Sequence, residues 1–133
     1  MIKKIIYAVL FFAAFISCKN AAKTTPVTDT DVATAFIRAV LDNDFKTAEK
    51  YLLKDETNLQ YFESFQHQYK SKTTDELEKY KSADIIINSL APLSDTTIIN
   101  YSNSYEKNSK TKIKLVRSNG QWLIDLKYTF TEN

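Results

Sequence analysis

One cysteine in 133 residues leaves the chain no disulfide framework of its own, and one histidine leaves few of the soft donors that a transition-metal site needs. Glycine is equally scarce: Gly120 alone offers the backbone a residue without a side chain. No internal repeat and no low-complexity block occurs, so solenoid and fibrous classes are excluded. The longest apolar run, Ile5 to Ile16, is too short to span a bilayer comfortably.

That run is nevertheless informative. Lys3 and Lys4 precede it, and its length suits the h-region of an export signal. It ends in Phe15-Ile16-Ser17-Cys18 and passes directly into polar Lys19-Asn20. This segment resembles the lipobox of bacterial lipoproteins, in which a small residue, here Ser17, precedes a cysteine that is acylated and becomes the first mature residue. The resemblance implies that residues 1–17 are a removed signal peptide. It also implies that Cys18 carries the lipid, palmitate included, and that the protein is held in the bacterial cell envelope, at the outer membrane. The chemistry agrees, since a thiolate is the one good soft nucleophile here and lies at the membrane–water boundary. Two or more acyl chains give lasting attachment, at about 0.8 kcal/mol per buried methylene. An uncleaved anchor, ordinary signal-peptidase cleavage and chance are the competing readings.

Removing residues 1–17 also changes the charge. The chain has 18 basic and 16 acidic residues, and the two excess lysines are Lys3 and Lys4, so the remainder is formally neutral. The pI of about 8.5 therefore describes the whole chain and is no argument for an anionic partner. Residues 18–29, containing "KNAAKTTPVTD", read as a lipidated cysteine and flexible tether, and residues 30–133 as one small domain.

Within that domain the first half has helical periodicity. Thr30-Asp31 can cap a helix whose Val32, Ala33, Phe36, Ile37, Val40 and Leu41 form an apolar stripe. "LDNDF" breaks it, and Asn43 or Asp44 can cap a second helix with Phe45, Ala48, Leu52 and Leu53 on its apolar side. A third helix is expected from Glu56 to Tyr69, with Leu59, Phe62, Phe65 and Tyr69 inward. A short fourth follows, capped by Thr74.

After Ser82 the period falls to two and β-branched residues take over. Strands are expected at Ala83–Ala91, Thr96–Glu106, Lys110–Ser118 and Gln121–Thr131. Asn119-Gly120 is the strongest short-range hairpin signal. It sets Ser118 opposite Gln121, Arg117 opposite Trp122, Leu115 opposite Ile124, Ile113 opposite Leu126 and Thr111 opposite Tyr128. The other face pairs Val116 with Leu123, Lys114 with Asp125 and, unfavourably, Lys112 with Lys127. On the preceding strand, Ile99, Tyr101, Asn103 and Tyr105 share the inward parity. The fold class is therefore α+β, with three to four N-terminal helices packed on a curved four-stranded antiparallel meander.

"AFIRAVLDNDFKTAEKYL" and, near the end, "GQWLIDL" are similar to segments of the nuclear transport factor 2-like superfamily, and in particular to its small bacterial lipoprotein domains of unknown function. That resemblance spans roughly residues 30–131. It implies a cone whose sheet wraps helices around an apolar cavity. Some members are isomerases or dehydratases with Asp, His or Tyr in the cavity, whereas others only bind or dimerise.

The candidate chemistry is sparse. His67 falls off the apolar stripe of its helix and reads as solvated. Asp42 and Asp44 flank a helix boundary and read as caps, and "DELE" with Lys79 and Lys81 reads as a solvated, charge-compensated surface. Lys110, Lys112 and Lys114 form a cationic stripe that suits an outer sheet face. Without alternating aromatics it does not suit nucleic acid. Arg117 opposite Trp122 suits a cation–π contact. Tyr101, Asn103, Tyr105, Thr111 and Tyr128 would converge on the inner face, where polar-tipped aromatics can line a small-molecule pocket or finish a wet core.

Function is accordingly expected to be non-enzymatic binding of a small apolar or aromatic ligand, or of an envelope protein, without cofactor or metal. The alternative is a small isomerase, dehydratase or hydrolase using Tyr or Asp as acid or base. A homodimer through the open sheet face is a third possibility. For the anchor, Cys18→Ala is expected to leave an unprocessed precursor without acyl label, as read by gel mobility and fatty-acid labelling. Normal maturation of that variant would contradict lipidation.

Overall fold

The computed structural model describes residues 25–131. The signal segment, Cys18 and most of the tether lie outside the described residues.

Helix α1 (Asp29–Leu41) starts two residues earlier than Thr30-Asp31 suggested. Thr28 is the cap: its hydroxyl accepts from the Asp31 amide at 3.1 Å, and its own amide donates to the Asp31 carboxylate at 3.3 Å. Asp31 is thus the third residue of a capping box, the reciprocal arrangement that satisfies otherwise orphaned amides. The expected stripe from Val32 to Leu41 is buried. The helix ends where Asn43 takes a left-handed φ of 58°, and Asp44 then caps α2 (Phe45–Ala48) by accepting from the Thr47 amide. Asp42 closes α1 and pairs with Arg38 one turn earlier.

The second helix is shorter than its apolar spacing implied. After one turn it tightens to 3-10 geometry at Glu49–Tyr51, and Leu52 leaves it extended, forming a parallel bridge to Ile124. Leu53 donates to the Ile124 carbonyl at 2.9 Å. Leu52 is therefore core through the sheet, not through a helix face.

Helix α3 (Glu56–Lys70) is capped by Asp55. Its inward residues are Asn58, Phe62, Phe65 and Tyr69, whereas Leu59, expected inward, is 40% exposed. The polar Asn58 takes the first core position because its side chain has a task there. Its oxygen accepts from the buried Leu126 amide at 2.7 Å, and its amide donates to Asp55 at 3.1 Å. Helix α4 (Thr74–Lys81) has a second capping box, made by Thr73 and Glu76, and buries Tyr80. Arg38 reaches from α1 to the chain leaving α4 and donates to the Ala83 carbonyl at 2.8 Å and the Lys81 carbonyl at 3.0 Å.

Strands β1 (Ile85–Pro92), β2 (Thr96–Asn103), β3 (Thr111–Ser118) and β4 (Gln121–Asp125) form an antiparallel meander in the order β1-β2-β3-β4. Asn119 and Gly120 adopt φ of 50° and 76°, and the hairpin register from Ser118–Gln121 to Lys114–Asp125 is the expected one. Arg117 lies 5.7 Å from the Trp122 ring.

Beyond Asp125 the expectation fails. The chain turns into α5 (Leu126–Thr131) instead of continuing as a strand, so Ile113, Lys112 and Thr111 do not pair with Leu126, Lys127 and Tyr128. The physical reason is visible in the charges. A longer strand would set Lys127 against Lys112, whereas the helical turn carries its ammonium to Asp55 at 2.6 Å and Asp125 at 3.1 Å. Four helices thus precede the sheet, as expected, and a fifth follows it.

Asn58 holds this corner. Asn58→Ala removes the acceptor of a buried amide, which costs roughly 1–3 kcal/mol. A fall of about 2 kcal/mol in unfolding free energy is expected from urea titration, with an unchanged slope. A loss below about 0.5 kcal/mol, the scatter of ordinary surface substitutions, would show that the bond is dispensable.

Candidate functional site

Tyr101 on β2 and Thr111 on β3 are direct cross-strand partners. Antiparallel pairing brings residues ten apart side by side on one face of the sheet, toward the second half of α3. Two cavities meet there, sharing Phe65, Gln68, Tyr101 and Thr111 as common lining.

The first, of about 220 Å³, is polar. Asn103, Glu106, Ser109, Lys72, Tyr69 and Tyr80 line it beside the shared residues, with Ile37, Val40 and Leu41 of α1 as its floor. Lys72 stands 4.8 Å from the centre of the Tyr80 ring and 5.6 Å from that of Tyr69, and its ammonium donates to the Tyr80 hydroxyl at 3.3 Å. The second cavity, of about 250 Å³, is mostly apolar, lined by Phe36, Ile113, Leu126 and Phe130 together with Thr129 and Lys110.

An aromatic ladder frames both cavities. Phe45 packs on Phe62 at 5.6 Å and edge-on against Tyr69 at 5.4 Å; Tyr69 leans on Tyr80 at 5.6 Å, and Tyr80 meets Tyr105 at 5.1 Å. Such tilted contacts between rings suit their quadrupoles. At the far end Tyr61 stacks on Phe130 at 4.9 Å.

The five residues expected to converge separate into three groups. Tyr101 and Thr111 line both cavities. Asn103 lines the polar one, but its side-chain oxygen already accepts from the amides of Tyr105 and Glu106, at 3.0 and 2.9 Å. It shapes the β2–β3 loop in the manner of an Asx turn. Tyr105 swings out to 41% exposure because β2 ends at Asn103 and the inward parity ends with it. Tyr128 sits half-buried on α5 and lines neither cavity, since the strand that would have carried it inward does not exist.

Other lining residues were not singled out. Gln68 could have been found, being three residues past Phe65 on the same helix. Tyr80 and Glu106 could not, because only the docking of α4 and the β2–β3 loop brings them together. Lys110 differs from its expected place on the outer stripe: β3 begins one residue after it, and it borders the apolar cavity. His67 is solvated, as its helical phase required.

Burial pushes the Tyr101 phenol up to about 12, against a smaller opposing effect of its hydrogen bond with Thr111. Tyr69 and Tyr80 are also raised, both chiefly by burial, Tyr80 with help from the Glu106 carboxylate. All three therefore stay protonated at neutral pH and act as hydrogen-bond donors or acceptors, not as bases. Asp125, a buried acid, gives an oxygen to the Lys127 ammonium and lines neither cavity. Among the described residues no cluster of His, Cys, Asp and Glu suits a metal ion.

No protein-family model matches the sequence, and no curated protein matches it. Among solved structures, the chain is similar to a Campylobacter jejuni protein described provisionally as an NTF2-like transpeptidase. The TM-score is 0.49 at 15% identity, over 71% of this chain and 94% of that one.

The raised phenols generate a stability profile. Their folded-state values exceed the unfolded value near 10, so their contribution is complete below pH 10 and is lost as pH rises toward 12. Thermal midpoints are expected to fall across that window, with the last part of the tyrosinate absorbance at 295 nm, that of Tyr69, Tyr80 and Tyr101, appearing together with unfolding. Full ionisation at pH 10–11 while the fold stays intact would refute the burial of these hydroxyls.

Proposed function

We propose that this chain is a lipid-anchored protein of the bacterial cell envelope whose domain binds a small ligand, without catalysing its conversion, in the paired cavities between α3 and the β2–β3 hairpin. The observation that carries the reading is the convergence of Tyr101, Thr111, Gln68 and Phe65 on a wall shared by one polar and one apolar cavity. Small-molecule sites have this composition: a mostly apolar lining with a few placed polar groups. Protonated phenols suit recognition at neutral pH and supply no base, which disfavours tyrosine as a general base. The anchor reading is supported by the Cys18 segment, with its apolar run and Ser17-Cys18 junction; among the described residues no helix is long and apolar enough to cross a membrane.

The test is a panel of fragment-sized aromatic and aliphatic acids and alcohols, followed by amide chemical shifts of the full chain in phosphatidylcholine nanodiscs. Binders are expected to move Phe65, Gln68, Tyr101 and Thr111 together. Gln68→Trp fills the shared wall from an exposed helical position and is expected to weaken such binders at least about ten-fold, or roughly 1.4 kcal/mol. Shifts scattered over the surface, or unaffected by Gln68→Trp, would refute the site.

A further inference from the structure

We propose that the apolar cavity recognises a single-ring carboxylate: an aromatic body of about one ring, joined by a short linker to one anionic group. This rests on the binding reading above and adds the class of ligand.

Size comes first. An apolar cavity of about 150 Å³ lined by Leu, Ile and Phe is enough to bind benzene. At about 250 Å³ this one admits a ring with a short substituent, and it lies below the range of about 300–1,000 Å³ typical for drug-sized ligands.

The lining then selects the body. Phe36, Phe65, Tyr101 and Phe130 contribute rings, with Phe65 and Phe130 set 6.5 Å apart at 72°. A ring inserted among them gains the edge-to-face contacts that an aliphatic chain lacks.

Charge selects the head group. Lys110 is the one charged residue in this lining, with no acidic residue beside it. Among the described residues it enters no ion pair. The polar cavity differs, because its Lys72 is accompanied by Glu106 and engaged with two tyrosine rings. Lys110 and Gln68 are both exposed, so a carboxylate at the mouth meets one cation and one neutral amide without leaving water. That arrangement matches a single negative charge. A phosphate dianion or a polyanion finds no second cation there.

The experiment compares 3-phenylpropanoate with its neutral analogue 3-phenylpropan-1-ol, titrated into the full chain in phosphatidylcholine nanodiscs and read by amide shifts. Both are expected to perturb Phe36, Phe65, Ile113 and Phe130. The anion is expected to bind about three-fold tighter at low ionic strength, the size of effect that an exposed ion pair supports, and the preference should shrink with added salt. Lys110→Gln removes the one charge from this lining and is expected to abolish the preference, bringing the anion down to the affinity of the alcohol. Equal affinities in the parent chain overturn the ligand class and leave the cavity reading standing. An anion preference that survives Lys110→Gln, or that maps to Lys112 and Lys114 on the outer face, overturns it as well. If neither compound moves the four lining residues, both readings fall.

Discussion

The hydrogen bond from the Leu126 amide to the Asn58 side chain decides the shape of everything around it. Both groups are buried, and the bond ties the first turn of α3 to the end of β4. The Leu126 amide has the parity of Ile124, whose carbonyl accepts from Leu53, so it faces away from β3, and Asn58 satisfies it where β4 gives way to α5. α5 then brings Leu126, Thr129 and Phe130 into the wall of the apolar cavity. Asp55 serves the same corner twice, capping α3 and receiving the Lys127 ammonium that would otherwise have opposed Lys112. A polar residue in a core is costly unless satisfied, and here it is satisfied on both its oxygen and its nitrogen.

Two further polar ties fix α1, one to the sheet and one to the end of α4. Asp29, in the first turn of α1, accepts from the buried Thr97 hydroxyl at 2.6 Å, while Arg38 holds the end of α4 through backbone carbonyls. Cationic side chains at the C-terminal end of a helix also meet its macrodipole favourably. With α1 pinned at one end and α4 at the other, the second half of α3 is held mainly by rings. The two cavities lie along this ladder.

Local chemistry was readable from the residues wherever one signal acted alone. Asn119-Gly120 dictated a turn type, the turn dictated a register, and the register held for five pairs. The stripe of α1 needed only its spacing. Failures occurred where a distant partner outweighed a local preference. "LKYTF" alternates well enough to read as strand, and only Asn58 and Asp55, some seventy residues earlier, convert it to helix. Leu59 looks like core until Asn58 is given a partner. For the site the same distinction applies. Tyr101 and Thr111 followed from strand parity, but parity lapsed at Asn103, where the side chain closes a loop, and Tyr105 went outward with it. Tyr80, Lys72 and Glu106 join the polar cavity through three separate elements, a convergence that no spacing within one segment encodes.

The proposed anchor and the proposed ligand place different demands on charge. Counted from Cys18, the chain is formally neutral, so no bulk attraction draws the domain onto an anionic surface. With Cys18 acylated, the ten residues to the Thr28 cap reach at most about 35 Å when extended, at 3.3–3.6 Å each. Such an anchor would hold the domain near the bilayer by its tether and not by a bulk field. In such a neutral body, one cation without an acidic neighbour at the mouth of an apolar cavity counts for more than it would on a basic surface. Discrimination falls to Lys110 alone, since no long-range field precedes it.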